Sequence, residues 1–397
     1  MIRWFFKGFS ACVRERRPPY VYYVFKQYLK RSFRHVFPFQ WDYFLSYAVF
    51  RLRAPHPVSA DAPDLVFVLK RESAGWILEG ICKEIANYFP GRTAFHHLSV
   101  SKRLPDARAY FFSHYSLFPK CLKRNPKLWG RPTLVFYTHA KETRDQDIKE
   151  LIYAFGQCTK VVCQSSASAK KLVLQGVPAE KTAYVLGGAD PDLFAARERS
   201  GKGLVGFCTA YYPRKAPDRI LEIIQSMPQR NFILLAPKSS EVGSRHRKWD
   251  RYERFTELLA QPNFLYVEAD YAEYPEYYAR MDVFVSASYL EGGPIPLIEA
   301  MMSNIVPVAS DTGFTADVIR HGENGFIFPV DTSVSQICEW IERAFILKTN
   351  VRFTAESLSW KHYSLEILKL LGYNPNYDSH TAGPREPHTD SRLVVPI

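Results

Sequence analysis

What the chain does without narrows its class. No uncharged apolar run reaches the ~18 residues needed to cross a bilayer, so no membrane-spanning helix organises it. Cysteine is sparse and odd in number: seven residues without paired short spacings or histidine partners at zinc distances, which argues against a disulfide framework and a structural metal site. The first residues lack the apolar core and small-residue cleavage site of a secretory leader. A reducing, cytoplasmic setting is therefore expected. No internal repeat is visible, and no DNA- or RNA-binding module pattern occurs, so nucleic acid is not an expected partner.

What is present is a chain of 397 residues, 47% hydrophobic, long enough for two domains of ordinary size plus extensions. Its net charge of +12 is uneven: residues 1–56 hold eleven Lys and Arg against Glu15 and Asp42, so nine of the twelve charges sit there. Residues 1–17 plot as a helix with Ile2, Phe5, Phe6, Phe9, Cys12 and Val13 on one arc and Arg3, Lys7 and Arg14 on another. Pro18 and Pro19 break it, and Tyr20 to Phe37 repeat the pattern. Amphipathic, aromatic and basic segments suit an anionic membrane surface, at ~1 kcal/mol per basic residue. The competing reading packs this 1–56 extension on the body. Residues 51–63, with three prolines, read as a linker.

From Asp64 onward, short apolar runs alternate with helical patterns. DLVFVL precedes a helix over 77–88; AYFFSHYSLF and PTLVFYTHA put His114 and His139 at strand ends; KVVCQSS leads into a helix closed by Gly176 and Pro178. After a polar stretch, 197–202, the pattern restarts with LVGFCTAY, the loop YPRKAP, a helix over 218–226, and the strands NFILLAP and NFLYVEA. SRHRKWDR between those strands reads as an exposed loop or helix start. A helix-like stretch, 271–280, and a helix over 337–347 complete the set. Such alternation implies parallel sheets covered by helices, hence an α/β chain of two Rossmann-like, doubly wound domains. The tail from 374 reads as disordered from its composition.

The densest set of placed features lies in Asp282 to Phe328. Val283, Phe284 and Val285 suit a buried strand, the loop to Gly293 lies at its carboxyl end, and Pro296 fits the first turn of a helix ending near Asn304. Glu291 in the loop and Glu299 in the helix, eight apart, can face one cavity and accept hydrogen bonds from two hydroxylated parts of one ligand. Gly292 and Gly293 leave bare amides at the positive helix end, where phosphate binds. Spacing alone equally allows a solvated Glu291 and a first-turn acid at Glu299.

SYLEGGPIPLIEAM, followed by VPVASDTGF and HGENGFIF, resembles the E-x7-E signature of retaining, nucleotide-sugar-dependent glycosyltransferases of family 4, which have the GT-B fold. The resemblance implies that Glu291 contacts the transferred sugar and Glu299 the nucleotide ribose, and that Lys215 binds the donor diphosphate. The family's Arg five residues before that Lys is Ala210 here, which leaves Arg214 as its substitute or the donor held differently. The usual Gly-aromatic-Gly reads Gly292-Gly293-Pro294. His139 resembles the strand-end histidine that faces the donor sugar across the cleft. Gly75 loosely matches the glycine-containing first loop, and Thr312 and Gly313 match a turn near the donor. Asp190-Pro191-Asp192 sits in the connection leaving the first domain and is not read as a metal-binding Asp-x-Asp. No metal and no cofactor are expected beyond the nucleotide-diphosphate sugar as co-substrate.

The implied organisation is a basic helical extension (1–56), an acceptor domain (64–195), a donor-binding domain (203–347), a helix crossing back to the first domain (355–372) and a tail (374–397). The implied activity moves a hexosyl unit to a glycan or lipid-linked acceptor in envelope polysaccharide or glycolipid synthesis, peripherally on the inner membrane face. The alternative, prompted by Ala210, is a non-catalytic protein of the same fold that binds a nucleotide sugar or a membrane partner.

Overall fold

A computed structural model describes residues 40–52, 58–71, 77–98, 102–138, 145–238 and 248–373. The two amphipathic segments of 1–37 and the tail from 374 lie outside the described residues, as does the middle of the 51–63 linker.

Among the described residues twelve strands form two six-stranded sheets, all parallel. The first holds β1 (Leu65–Leu69), β2 (Thr93–His97), β3 (Ala109–Phe112), β4 (Thr133–Tyr137), β5 (Lys160–Cys163) and β6 (Thr182–Tyr184) in the order β2-β1-β3-β4-β5-β6. The second holds β7 (Leu204–Cys208), β8 (Asn231–Pro237), β9 (Phe264–Ala269), β10 (Val283–Ser286), β11 (Val306–Ser310) and β12 (Phe326–Phe328) in the order β12-β11-β10-β7-β8-β9. This is the doubly wound pair that the GT-B expectation requires. In the second sheet the strand order reverses between β7 and β10, and a reversal opens a crevice at the carboxyl ends of the strands flanking it.

Strands covered on both faces must be apolar throughout, which is why β1 reads LVFVL and is buried at every position. In the first sheet Phe67 faces Phe111 in register, with Phe95 and Phe136 extending the row at ring separations of 5.1 to 6.1 Å. Offset rings of this kind add to the burial itself.

The chain crosses between the lobes twice. Arg352 gathers the crossing, its guanidinium donating to the carbonyls of Phe194, Met302 and Pro191. The helix Trp360–Leu370 returns to the first lobe, where Ser364 donates to the Glu84 carbonyl at 3.1 Å and Tyr373 packs edge-on to Phe89.

The helical extension ends in a helix docked on the first lobe, Gln40–Leu52, which takes up the first two residues of the expected 51–63 linker. Tyr43 is buried and donates to Glu150 (3.0 Å), Ser46 donates to the Leu122 carbonyl (2.7 Å), and the Trp129 indole donates to Ser46 (3.1 Å). For that helix packing on the body prevails, because its inward face offers hydroxyls that find buried partners. SRHRKWDR, expected as an exposed loop or helix start, ends in the short helix Trp249–Arg251, where Trp249 is fully buried and its indole donates to the Thr209 carbonyl at 2.9 Å. Among the described residues no helix is long and apolar enough to cross a membrane.

Candidate active site

The site forms at the reversal between β7 and β10. β7 delivers Lys215 on the short turn Pro213–Lys215, closed by Ala216 in the left-handed region (φ 55°). β10 delivers the loop of Ser288 and Glu291. Lys215 Nζ donates to Glu291 Oε1 at 2.5 Å, Arg214 Nη1 to Oε2 at 3.0 Å, and Ser288 Oγ to Oε1 at 2.6 Å. Arg214 also reaches the Leu290 carbonyl (2.8 Å) and lies over the Tyr212 ring. The position offered as a substitute for the missing arginine is thus beside the acid, while Ala210 is buried. Thr209, Lys215, Ser286, Ser288, Glu291 and Pro294 line one hollow.

Glu291 is 8% exposed. Burial pushes its carboxyl up, but Lys215 and then Arg214 outweigh burial and hold it below the ordinary carboxylate value. Two cations on one anion leave an excess positive charge, in surroundings where charges interact more strongly than in water. That excess suits an incoming polyanion.

The helix Ile295–Met302 begins just after this loop, and Asn304 in the left-handed region (φ 65°) follows its end. The Gly293 carbonyl accepts from Ile295 (3.0 Å), and the N–H groups of Gly292 and Gly293 donate to no backbone carbonyl among the described residues. Both glycines have a second duty that the sequence did not disclose. A Cβ on Gly292 would lie 2.2 Å from the Thr138 carbonyl and 2.9 Å from Gln164 Oε1; one on Gly293 would lie 2.7 Å from the Phe314 ring and 3.0 Å from Gln164 Nε2. Thr138 and Gln164 stand at the carboxyl ends of β4 and β5, so the first lobe closes directly on the glycine pair. Gly313 (φ 59°) abuts the Gly292 carbonyl, and Thr312 is buried with its hydroxyl 3.3 Å from Ser310. The short helix Thr315–Val318 that follows carries Asp317, which accepts from the Ser166 N–H at 3.0 Å, at the start of the first-lobe helix Ser166–Leu174. An acid there complements the helix dipole.

Glu299 is placed otherwise. It is fully buried and absent from the hollow's lining; its two oxygens accept from Tyr271 (2.7 Å) and Tyr278 (3.1 Å). The two acids therefore do not share one open cavity, because tyrosines from the stretch before β10 fill the space beside Glu299. Burial pushes its pKa up to about 7, with the two tyrosine hydrogen bonds opposing.

His139 and Gly75 lie outside the described residues. His114, the other strand-end histidine, serves locally: its Nδ1 accepts from the Ser116 N–H (3.2 Å), and its ring stacks on Tyr115. Asp190 likewise closes a turn by accepting from the N–H groups of Asp192 and Leu193. No group of three or more His, Cys, Asp or Glu side chains converges among the described residues. Thr138, Gln164, Tyr271 and Tyr278 escaped the sequence reading, since each matters through a partner distant in the chain, and Ser288 escaped it although Glu291 lies only three residues on.

Comparison with known proteins bears on this geometry. Residues 190–354 match the family model for glycosyl transferases of group 1. That span contains Lys215, Glu291 and Glu299. A GDP-mannose-dependent alpha-mannosyltransferase of Mycobacterium tuberculosis is 29% identical over 182 residues, 43% of this chain and 44% of that protein. The alignment thus spans less than half of this curated relative. Among solved structures, Anabaena HepE in complex with UDP and glucose superposes over 79% of this chain and all of its own, with a TM-score of 0.63 at 15% identity. Sucrose-phosphate synthase from Thermosynechococcus elongatus covers 77% of this chain and 98% of its own (TM-score 0.62, 14% identity). At these identities the likeness establishes the GT-B fold.

Proposed function

We propose that the protein is a retaining, family 4 glycosyltransferase that moves a hexosyl unit from a nucleotide-diphosphate sugar to a glycan or lipid-linked acceptor. The observation that carries this is the convergence of Lys215 and Arg214 on buried Glu291, at the crevice of the second sheet and against the strand ends of the first. The match of residues 190–354 supports it.

The leaving diphosphate presents the largest electrostatic demand in such a reaction, and preorganised cations and amides meet it without reorganisation. Lys215 and Arg214 rest on Glu291. An arriving diphosphate competes for them and for the N–H groups of Gly292 and Gly293. Glu291, released from part of its pairing, then turns a carboxylate toward the sugar as the anomeric carbon becomes cation-like. Glu299 keeps its place beneath Tyr271 and Tyr278, and ribose contact follows only if those hydroxyls give way or share it. Catalysis proceeds without a metal in this reading. The basic 1–39 segment holds the enzyme on an anionic membrane surface, on the cytoplasmic side, within envelope polysaccharide or glycolipid synthesis.

The test is a panel of UDP-, GDP- and ADP-sugars screened by thermal shift, followed by mass spectrometry of products with candidate acceptors. One donor class should raise the midpoint in proportion to its affinity and be turned over. Stabilisation without transfer or hydrolysis across the panel would make the protein a sugar-nucleotide binder, and no stabilisation at all would refute both.

A further inference from the structure

The second lobe has another hollow, at the amino-terminal edge of its sheet and so on the side away from Lys215 and Glu291. Gly203 and Asp282, the residues just before β7 and β10, form its floor, and Arg199, Arg230 and Lys348 surround it, with Phe345 and Leu347 as an apolar wall. Its volume of ≈ 410 Å³ falls in the range of small-molecule pockets, about 300–1,000 Å³.

The charges are unequally satisfied. Asp282 is saturated: it accepts from the Ser200 hydroxyl (3.1 Å) and from the N–H groups of Gly201 (3.0 Å) and Gly203 (2.8 Å). Arg230 is committed to Glu342 through both arms of its guanidinium and lies over the Phe345 ring. Arg199 is not satisfied. One nitrogen donates to the Thr349 carbonyl at 3.1 Å, while the other, Nη1, is buried and finds no acceptor among the described residues. Burial lowers the Arg199 pKa, and Asp282 only partly offsets it. A buried charged donor without an acceptor is costly, and such groups are usually met by a ligand or ion. Lys348 is exposed at the rim.

We propose that this hollow binds a phosphate group, either free or carried by a small phosphorylated sugar, with Arg199 Nη1 as its principal donor and Lys348 as a second cation. The apolar wall of Phe345 and Leu347 would cover the carbon part of the carrier. The site is separate from the donor crevice, so it survives or fails independently of the proposed transferase activity.

The experiment is calorimetric titration of the full chain with inorganic phosphate and, separately, with glucose 6-phosphate. Four proteins are compared: unaltered, Arg199→Met, Lys348→Met and Lys215→Met. Saturable binding is expected in the unaltered protein. Loss of a charge-assisted hydrogen bond should weaken it about tenfold or more in Arg199→Met, with a smaller loss in Lys348→Met. Lys215→Met removes phosphate binding at the donor crevice and should leave the Arg199-dependent component in place. Equal affinity for the two probes identifies the anion alone as the ligand, and tighter sugar phosphate binding identifies the phosphorylated carrier. Absence of saturable binding, unchanged binding in Lys348→Met together with Arg199→Met, or loss only in Lys215→Met would overturn the proposal. Should Arg199→Met not fold, exposed Lys348 decides the matter alone.

Discussion

Glu291 and Glu299 lie on one short piece of chain, yet the structure gives them opposite surroundings. Glu291 meets two cations and a serine, which hold it ionised against its burial. Glu299 meets two tyrosine hydroxyls and no cation among the hydrogen bonds it makes, and burial raises its pKa to about 7, which leaves it half-protonated near neutral pH. Burial alone therefore does not decide the state of a carboxyl; its partners do. One acid is poised to exchange partners with an anionic ligand, and the other is built into the wall behind it.

The strongest way to break this contrast is to remove each acid in turn. Glu291→Ala should lower transfer by about a hundredfold or more while leaving nucleoside-diphosphate binding intact or tighter, because Lys215 and Arg214 are then freed for phosphate. Turnover assays and calorimetry on the same preparation read both. Equal losses of turnover and binding would show that Glu291 only props the loop.

The pH dependence of stability separates the two acids by sign. Glu299 has a folded pKa of about 7 against an ordinary 4.5, so its contribution is whole below pH ~4.5 and is lost as pH rises through ~7. Each pH unit over which the two states differ by one proton is worth about 1.4 kcal/mol, so the window amounts to ~3 kcal/mol. Glu84, raised to about 6 chiefly by burial, acts in the same direction. Glu291, held low, does the reverse: its contribution is present above the ordinary value and fades as pH falls. Urea unfolding at about pH 5 and about pH 8 should show a flatter profile in Glu299→Gln, and unfolding at about pH 3 and about pH 5 a loss of acid sensitivity in Glu291→Gln. A Glu299→Gln profile parallel to the unaltered one would contradict the assignment.

A smaller effect is expected from Tyr271→Phe. It deletes one of two donors to a buried carboxyl and should cost about 1–2 kcal/mol near pH 8, less near pH 5 where Glu299 keeps its proton. The smallest concerns the turn that carries Lys215. Ala216→Gly relieves a left-handed alanine (φ 55°) and should shift stability by less than about 1 kcal/mol, upward. Chemical denaturation measures both.

The central strands were legible because buried parallel strands must be continuously apolar, as LVFVL and the VFV of β10 are, whereas the half-exposed edge strands β2 and β6 carry no such run and went unread. The loop after β10, its helix and the left-handed stop at Asn304 were legible from proline, glycine and asparagine chemistry. The partners of Glu299 were not. Tyr271 and Tyr278 lie 28 and 21 residues upstream, and nothing local in an aromatic helix-like stretch says that its hydroxyls converge on one acid. The glycine pair was readable as a phosphate loop but not as the contact for Thr138 and Gln164, which arrive from the other lobe. Trp249 hid within a basic run, and the docked helix Gln40–Leu52 hid because it continues the aromatic character of the segment before it.

The central claim, that the cations beside Glu291 receive the diphosphate of a sugar donor, is tested most directly by calorimetric titration of the favoured nucleoside diphosphate into unaltered protein and Lys215→Ala. The account predicts affinity weakened about tenfold or more in Lys215→Ala, with binding in the unaltered protein falling as salt rises. Equal affinity in the two proteins would contradict it.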